Sequence, residues 1–201
     1  ECPPYKWKVG GSNPSGSIIG LLPYLAPCNM TNLKIIDNFL SADKFDELQR
    51  AVMSKDFPWF FNDSLVNEVE ENLGNYQFIH YFVKNGLPSS NFYSLLYSVA
   101  SSANMACIYR AKANLNTYRG TPPVKSSYHV DEDFTNCFKT GILYLNTNNG
   151  YTEIETGGKI ESKANRFCSF DLSVRHRAVY QTNSKHRVVI NFVYVEKDFN
   201  G

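Results

Sequence analysis

Tyr128-His129-Val130-Asp131 is the stretch on which the reading of the fold turns. On an extended strand side chains alternate between faces, so His129 and Asp131, two apart, point the same way. A third donor, His176, lies 45 residues beyond Asp131 and has to be brought back by the fold. Two imidazoles and one carboxylate leave three positions of an octahedral metal open, which suits a non-haem Fe(II) that holds a cosubstrate and oxygen. Arg187, eleven residues after His176, opens the run Arg187-Val188-Val189-Ile190-Asn191-Phe192-Val193-Tyr194-Val195. Its guanidinium can fork a carboxylate bidentately.

Composition bounds the rest. The 201 residues are the size of one domain with a substantial core. An apolar content of 43% with 14% aromatics marks a globular chain. The net charge of +1 supplies no field for nucleic acid or an anionic membrane surface, so neither partner is expected. No apolar run reaches the length of a membrane span. The five cysteines, Cys2, Cys28, Cys107, Cys137 and Cys168, are odd in number and lack metal-type spacing. They read as free thiols in a reducing cytoplasm.

Residues 1–29 stand apart: rich in Gly, Pro and Ser, without sustained periodicity. Gly10-Gly11-Ser12-Asn13-Pro14-Ser15 reads like a translated T-arm of a transfer-RNA gene, and a natural beginning appears at Met30. The expectation is that 1–29 derives from upstream DNA and that 30–201 forms one domain; the alternative is an ordered arm packed on it.

From 33 to 40 a first strand and turn are expected, then a helix to about 55 capped by Ser41, with Phe45, Leu48 and Val52 on one face. Phe57-Pro58-Trp59-Phe60-Phe61 is read as helix–sheet packing or, alternatively, as a wall of a substrate channel. His80, on a loosely alternating stretch from 76 to 83, is read as structural. Ser90 or Asn91 caps a second helix that buries Phe92, Leu95, Leu96 and Val99. On a long strand over 105–118, Tyr109, Ala111, Ala113 and Leu115 form the apolar face, while Asn114, Asn116 and Tyr118 share the other. Those three either face a cavity, Tyr118 then donating to a cosubstrate, or form a solvated edge. Asn191 shares the face of Arg187 and Val189 and is expected to line the same cavity, whereas His186 points the opposite way. Asn148-Asn149-Gly150 and Gly157-Gly158 signal tight hairpins. Many short strands with helices concentrated early imply a mainly β (α+β) architecture, a double-stranded β-helix (jelly-roll) with flanking N-terminal helices.

With its H-x-D…H…R order, the sequence resembles the Fe(II)- and 2-oxoglutarate-dependent dioxygenases. The phrases Gly141-Ile142-Leu143-Tyr144-Leu145-Asn146, Asn165-Arg166-Phe167 and Arg187-Val188-Val189-Ile190-Asn191-Phe192 bring it nearest to compact prolyl-4-hydroxylase-like members, including those carried by marine bacteriophages. The resemblance runs from about 32 to 195 and implies iron held by His129, Asp131 and His176. It implies 2-oxoglutarate chelating that iron, with its far carboxylate on Arg187 and on the hydroxyl of Tyr144; Ile142, on the face of Tyr144, lines the same pocket. O2 is the co-reactant, with ascorbate as an accessory reductant, and succinate and CO2 are the by-products. The implied reaction is hydroxylation, with peptidyl proline the nearest substrate class and a free amino acid or small metabolite the alternative. A non-catalytic jelly-roll binding module is the competing function. Asp131 separates the chain from halogenases, and Val193, six residues after Arg187, separates it from nucleobase dealkylases carrying a second arginine there. A phage-borne member would work in the host cytoplasm.

Overall fold

The strands come first from alternation. In the computed structural model, which describes residues 32–63, 76–132 and 137–197, eleven strands and two short α-helices follow one another. Strand β1 (Lys34–Ile36) precedes helix α1 (Ala42–Val52), followed by β2 (Phe60–Asn62), β3 (Gln77–Lys84) and β4 (Leu87–Pro88). A 3₁₀ turn (Tyr93–Leu96) runs into helix α2 (Tyr97–Ser102), and then comes the long strand β5 (Met105–Thr117). The remaining strands are β6 (Phe138–Tyr144), β7 (Tyr151–Ile154), β8 (Lys159–Glu161), β9 (Arg166–Asp171), β10 (His176–Val179) and β11 (His186–Glu196).

The large sheet has the order β1-β9-β6-β11-β5-β3-β2, with β4 beside β3, and the small sheet the order β10-β7-β8. All pairings are antiparallel. Two isolated bridges, Lys125 with Val179 and His129 with His176, lay the loop before Asp131 along the free side of β10. This is the expected jelly-roll. Strand β11 is apolar on both faces, and the alternation of its side chains explains the layering: Ile190 and Phe192 enter the core beneath the helices, while Val189 packs with Ile142, Tyr144, Ile154 and Phe170 between the sheets. Each such fully buried side chain contributes about 1.5–3 kcal/mol.

Helix α1 buries Phe45, Leu48 and Val52 against that core, as its spacing requires. It ends at Val52, and Ser41 caps it only through its carbonyl, which accepts from Phe45 N at 2.9 Å; the side chain makes no capping bond. The second helix departs further from expectation. Ser90 Oγ accepts from Phe92 N at 3.0 Å, but a 3₁₀ turn intervenes before α2, so Leu96 and Val99 reach the core from two segments. Of the two turn signals, Gly157 (φ +101°) and Gly158 (φ +136°) close the β7–β8 hairpin. Asn148 to Gly150 instead carries the chain from the large sheet to the small one, so it is a crossover and not a hairpin.

His80 is buried between the Pro58 carbonyl (Nδ1, 2.8 Å) and Ser90 Oγ (Nε2, 2.7 Å), walled by Phe57, Phe82 and Phe92. Both ring nitrogens are used in packing helix to sheet. The aromatic run divides: Phe57 is core, Trp59 packs against it, and Phe60 and Phe61 lie exposed on edge strand β2. Cys107 is disulfide-bonded, which corrects the reading of all five cysteines as free; Cys137 and Cys168 are free thiols. Both readings of residues 1–29 lie outside the described residues. No helix among the described residues is long and apolar enough to cross a membrane.

Candidate metal and cosubstrate site

The cavity between the two sheets encloses about 230 Å³ and is lined by the inward rows of β5 and β11, by Ile142 and Thr152, and by the 126–131 loop with β10. His129, Asp131 and His176 meet here. One ligand atom from each lies within 4.8 Å of the others. The mechanism of their meeting differs from the expected one. His129 and Asp131 do not sit on a continuous strand; His129 alone pairs, through reciprocal 3.0 Å bonds with the His176 backbone, and Asp131 follows in a bend. That single bridge replaces the strand, setting the two imidazoles side by side with ring centroids 4.7 Å apart.

Each imidazole is oriented by its own backbone. His129 Nδ1 meets the Ser127 carbonyl at 3.2 Å and His176 Nδ1 the Val174 carbonyl at 3.1 Å. A carbonyl can only accept, so Nδ1 carries a proton in both rings, and in the neutral tautomer Nε2 is the nitrogen that offers its lone pair to a cation. Burial, reinforced by the charge of His176, lowers the His129 pKa and favours the neutral ligand form.

Asp131 is held more tightly. Arg110 Nη2 donates to Oδ1 at 2.6 Å and Thr140 Oγ1 to Oδ2 at 3.0 Å, while Oδ2 lies 3.7 Å from His176 Nε2. Arg110 Nη1 also reaches the Asp131 carbonyl (3.0 Å) and Glu132 Oε1 (2.6 Å), fastening the bend to β5. Burial alone would raise the carboxyl pKa. The charges of His176, Arg110 and His129 and the Thr140 hydrogen bond prevail and hold it at about 2.

Arg187 is 3% exposed at the far end of the cavity. Its Nε donates to Ser162 Oγ at 2.8 Å and its Nη2 to Thr152 Oγ1 at 3.2 Å, and among the described residues no carboxylate pairs with it. A buried guanidinium with only hydroxyl partners lacks a counter-ion. Tyr144 donates to the same Thr152 oxygen at 2.7 Å, so Thr152 Oγ1 accepts twice and its own proton is free for a further acceptor. Burial raises the Tyr144 pKa well above that of an ordinary phenol, which keeps it a donor.

Of the remaining expected residues, Asn191 and Ile142 line the cavity, and the Asn191 Oδ1 is buried without a hydrogen-bond partner among the described residues. Tyr144 adjoins the cavity through Thr152 instead of lining it. Tyr118 does not belong. It follows the last residue of β5, is 49% exposed and is absent from the cavity wall, whereas Asn114 and Asn116 face inward as expected. Strand alternation stops being a guide where the strand stops. Arg110, Lys112, Thr140, Thr152 and Ser162 were not anticipated. Arg110 and Lys112 continue the Asn114/Asn116 row backwards at spacing two, so their orientation was available from the pattern. Arg177 lines the opposite side, paired with Glu153 at 2.6 Å and stacked over Tyr128. His186 is not among the lining residues.

No protein-family model and no curated protein matches the sequence. Solved structures do match by shape. A prolyl hydroxylase in complex with a hypoxia inducible factor oxygen degradation domain peptide fragment, from Trichoplax adhaerens, superposes with a TM-score of 0.60 at 17% identity, covering 84% of this chain and 85% of that one. The non-haem alpha-ketoglutarate-dependent epimerase SnoN gives 0.59 at 12% identity, covering 82% and 78%. A Pseudomonas putida prolyl-4-hydroxylase gives 0.51 at 16%, covering 82% and 92%. The chain shares the jelly-roll fold of these 2-oxoglutarate/Fe(II) oxygenases.

Proposed function

We propose that the protein is an Fe(II)- and 2-oxoglutarate-dependent dioxygenase that hydroxylates its substrate and releases succinate and CO2. The observation that carries this is the pairing, in one cavity, of a His-Asp-His donor set within 4.8 Å with a buried arginine that has no anionic partner among the described residues. The residues fit the group. Two imidazole nitrogens and one carboxylate are the donors a divalent iron takes while keeping positions open. Bound there, Fe(II) with 2-oxoglutarate and O2 supplies the oxidising power to convert a C–H bond to C–OH.

The chain's own residues divide the remaining work. His129, Asp131 and His176 would hold the metal, and the Ser127 and Val174 carbonyls keep both rings turned with Nε2 inward. Arg110 and Thr140 keep Asp131 ionised and stop it rotating away. Arg187 supplies the charge for the far carboxylate of 2-oxoglutarate, Thr152 donates its free proton to that group, and Tyr144 and Arg187 fix the Thr152 hydroxyl by filling its acceptor side. Apolar Ile142 and Val189 exclude water around the stem. Ascorbate is an accessory reductant in this reading. Peptidyl proline is the substrate class suggested by two of the structural neighbours, both prolyl hydroxylases, one of them in complex with a peptide.

The test is oxygen-dependent formation of succinate from 2-oxoglutarate by the Fe(II)-loaded protein, run with peptides and small metabolites read by mass. Succinate that requires Fe(II), O2 and intact Asp131, with one oxygen atom gained by a substrate, is the expected result. Cosubstrate and metal binding without succinate from any substrate would point instead to a binding module.

A further inference from the structure

The cavity contains a cation that the reading above does not use. Lys112 lies on β5 in the inward row with Arg110, Asn114 and Asn116, opposite Asn191 of β11. The other cations around the cavity have assignments. Arg110 is ion-paired with Asp131 and Glu132, Arg177 with Glu153, and Arg187 faces the cosubstrate end. Among the described residues the Lys112 side chain has no ion pair and no hydrogen bond; its Nζ lies 5.8 Å from the centroid of the Tyr81 ring. It is close enough to the metal end for its charge to act on His129, and for those of Asp131 and Glu132 to act on it. Burial, with the repulsion of Arg110, brings its ammonium pKa down to about 8, so it remains charged at neutral pH.

Charge balance decides what this lysine is for. Set the metal's two charges with Arg110, Lys112 and Arg187 against Asp131, Glu132 and the 2-oxoglutarate dianion. One positive charge is left over, and it sits at the metal end. The far carboxylate taken by Arg187 is not the group that meets Lys112. Asn191, the cross-strand partner of Lys112, is four residues along β11 from Arg187, roughly 13 Å at strand rise. Asn191 Oδ1, on the cross-strand neighbour of Lys112, is buried without a partner among the described residues; as an acceptor it is open to an N–H or O–H donor of the substrate and not to its carboxylate.

We infer that Lys112 is the receptor for a carboxylate of the substrate, seated beside the metal position. The substrate is then a free amino acid, a chain-terminal residue or another small carboxylic acid, and not an internal peptide position. This rests on the oxygenase reading and, within it, sets the free-acid or chain-terminal class in place of the internal peptidyl proline suggested by the structural neighbours. The alternative source of the same chemistry is the 1-carboxylate of 2-oxoglutarate itself, and the experiment separates the two.

N-acetylproline and N-acetylprolinamide, which differ in the carboxylate, are titrated by ligand-observed NMR into the full chain loaded with Mn(II) and 2-oxoglutarate. The unsubstituted protein and Lys112→Arg are expected to prefer the acid by about tenfold or more, as a charge-assisted contact requires. In Lys112→Met that preference disappears while 2-oxoglutarate affinity is unchanged. Lys112→Met should also be no less heat-stable than the parent, since it removes a cation without a partner, whereas a structural lysine would leave a less stable protein. If Lys112→Met weakens 2-oxoglutarate binding and leaves the acid–amide ratio intact, the carboxylate belongs to the cosubstrate and the substrate assignment is overturned. An acid–amide ratio near one in the parent overturns it as well. Failure of the oxygenase reading shows separately, as a parent protein that binds no Mn(II). The same acid–amide comparison on the metal-free chain then still decides the role of Lys112.

Discussion

Arg187 brings its charge to the end of the cavity with the Ser162 and Thr152 hydroxyls as its hydrogen-bond partners and no carboxylate among the described residues, which is the arrangement of a residue awaiting an anion. Arg187→Ala should therefore weaken 2-oxoglutarate by about 100-fold or more, since each hydrogen bond to a charged group contributes roughly 1.5–3 kcal/mol. Metal affinity should change little. Calorimetric titration of the Mn(II)-loaded variant checks this, and unchanged cosubstrate affinity would remove Arg187 from the account. At this scale the sequence was informative. His129, Asp131, His176 and Arg187 could be picked out because their chemistry is uncommon in combination, whatever the backbone does between them. Thr152 and Ser162 could not, because a hydroxyl carries no signal until the guanidinium it holds is in place beside it. Tyr118 was misplaced for a related reason: its position two beyond Asn116 means nothing once β5 has ended at Thr117.

At the scale of elements, β6 is crowded by both neighbouring strands, β9 and β11. Gly141 lies where an added Cβ would stand 2.8 Å from Phe167 Cζ and 3.1 Å from Tyr194 Cε1. The Phe167 ring is itself stacked on Phe39 with centroids 4.5 Å apart, so it has little room to retreat. Gly141→Ala should lower stability by about 1–3 kcal/mol through overpacking. Denaturant unfolding reads this directly, and a variant as stable as the parent would show that the rings yield. The strands of the large sheet were legible because β5 has one apolar face and β6, β9 and β11 are apolar runs bounded by turns. The 128–131 stretch was less so. Its backbone is set by a bridge to His176, 47 residues from His129, and such a partner cannot be read from local periodicity. The broken second helix is a similar case: Leu96 and Val99 have helical spacing, and both are buried although Leu96 ends the 3₁₀ turn and Val99 lies on α2, so the pattern is blind to the break.

For the whole molecule, the donor set and its anchors span both sheets. His176 belongs to the small sheet, Asp131 is anchored by Arg110 and Thr140 to the large one, and Arg187 on the large sheet is held by Thr152 of the small. Metal and cosubstrate together should therefore stabilise the native state against unfolding. At a hundredfold excess over Kd a ligand adds about 2.7 kcal/mol, which for a domain of this size corresponds to a rise in Tm of roughly 5–10 °C. Thermal unfolding with and without Mn(II) and 2-oxoglutarate measures this, and no shift at saturating ligand would mean that the two sheets do not close on a common guest.

The account depends most on His129, Asp131 and His176 acting as one metal site, and counting bound Mn(II) per chain by equilibrium dialysis tests that directly. One ion per chain is predicted for the parent, for Arg187→Ala and for His186→Ala. Its loss is predicted in His176→Ala and in Asp131→Asn, which preserves the shape of the acid while removing its charge. Full binding in the His176 and Asp131 variants, or none in the parent, would contradict it.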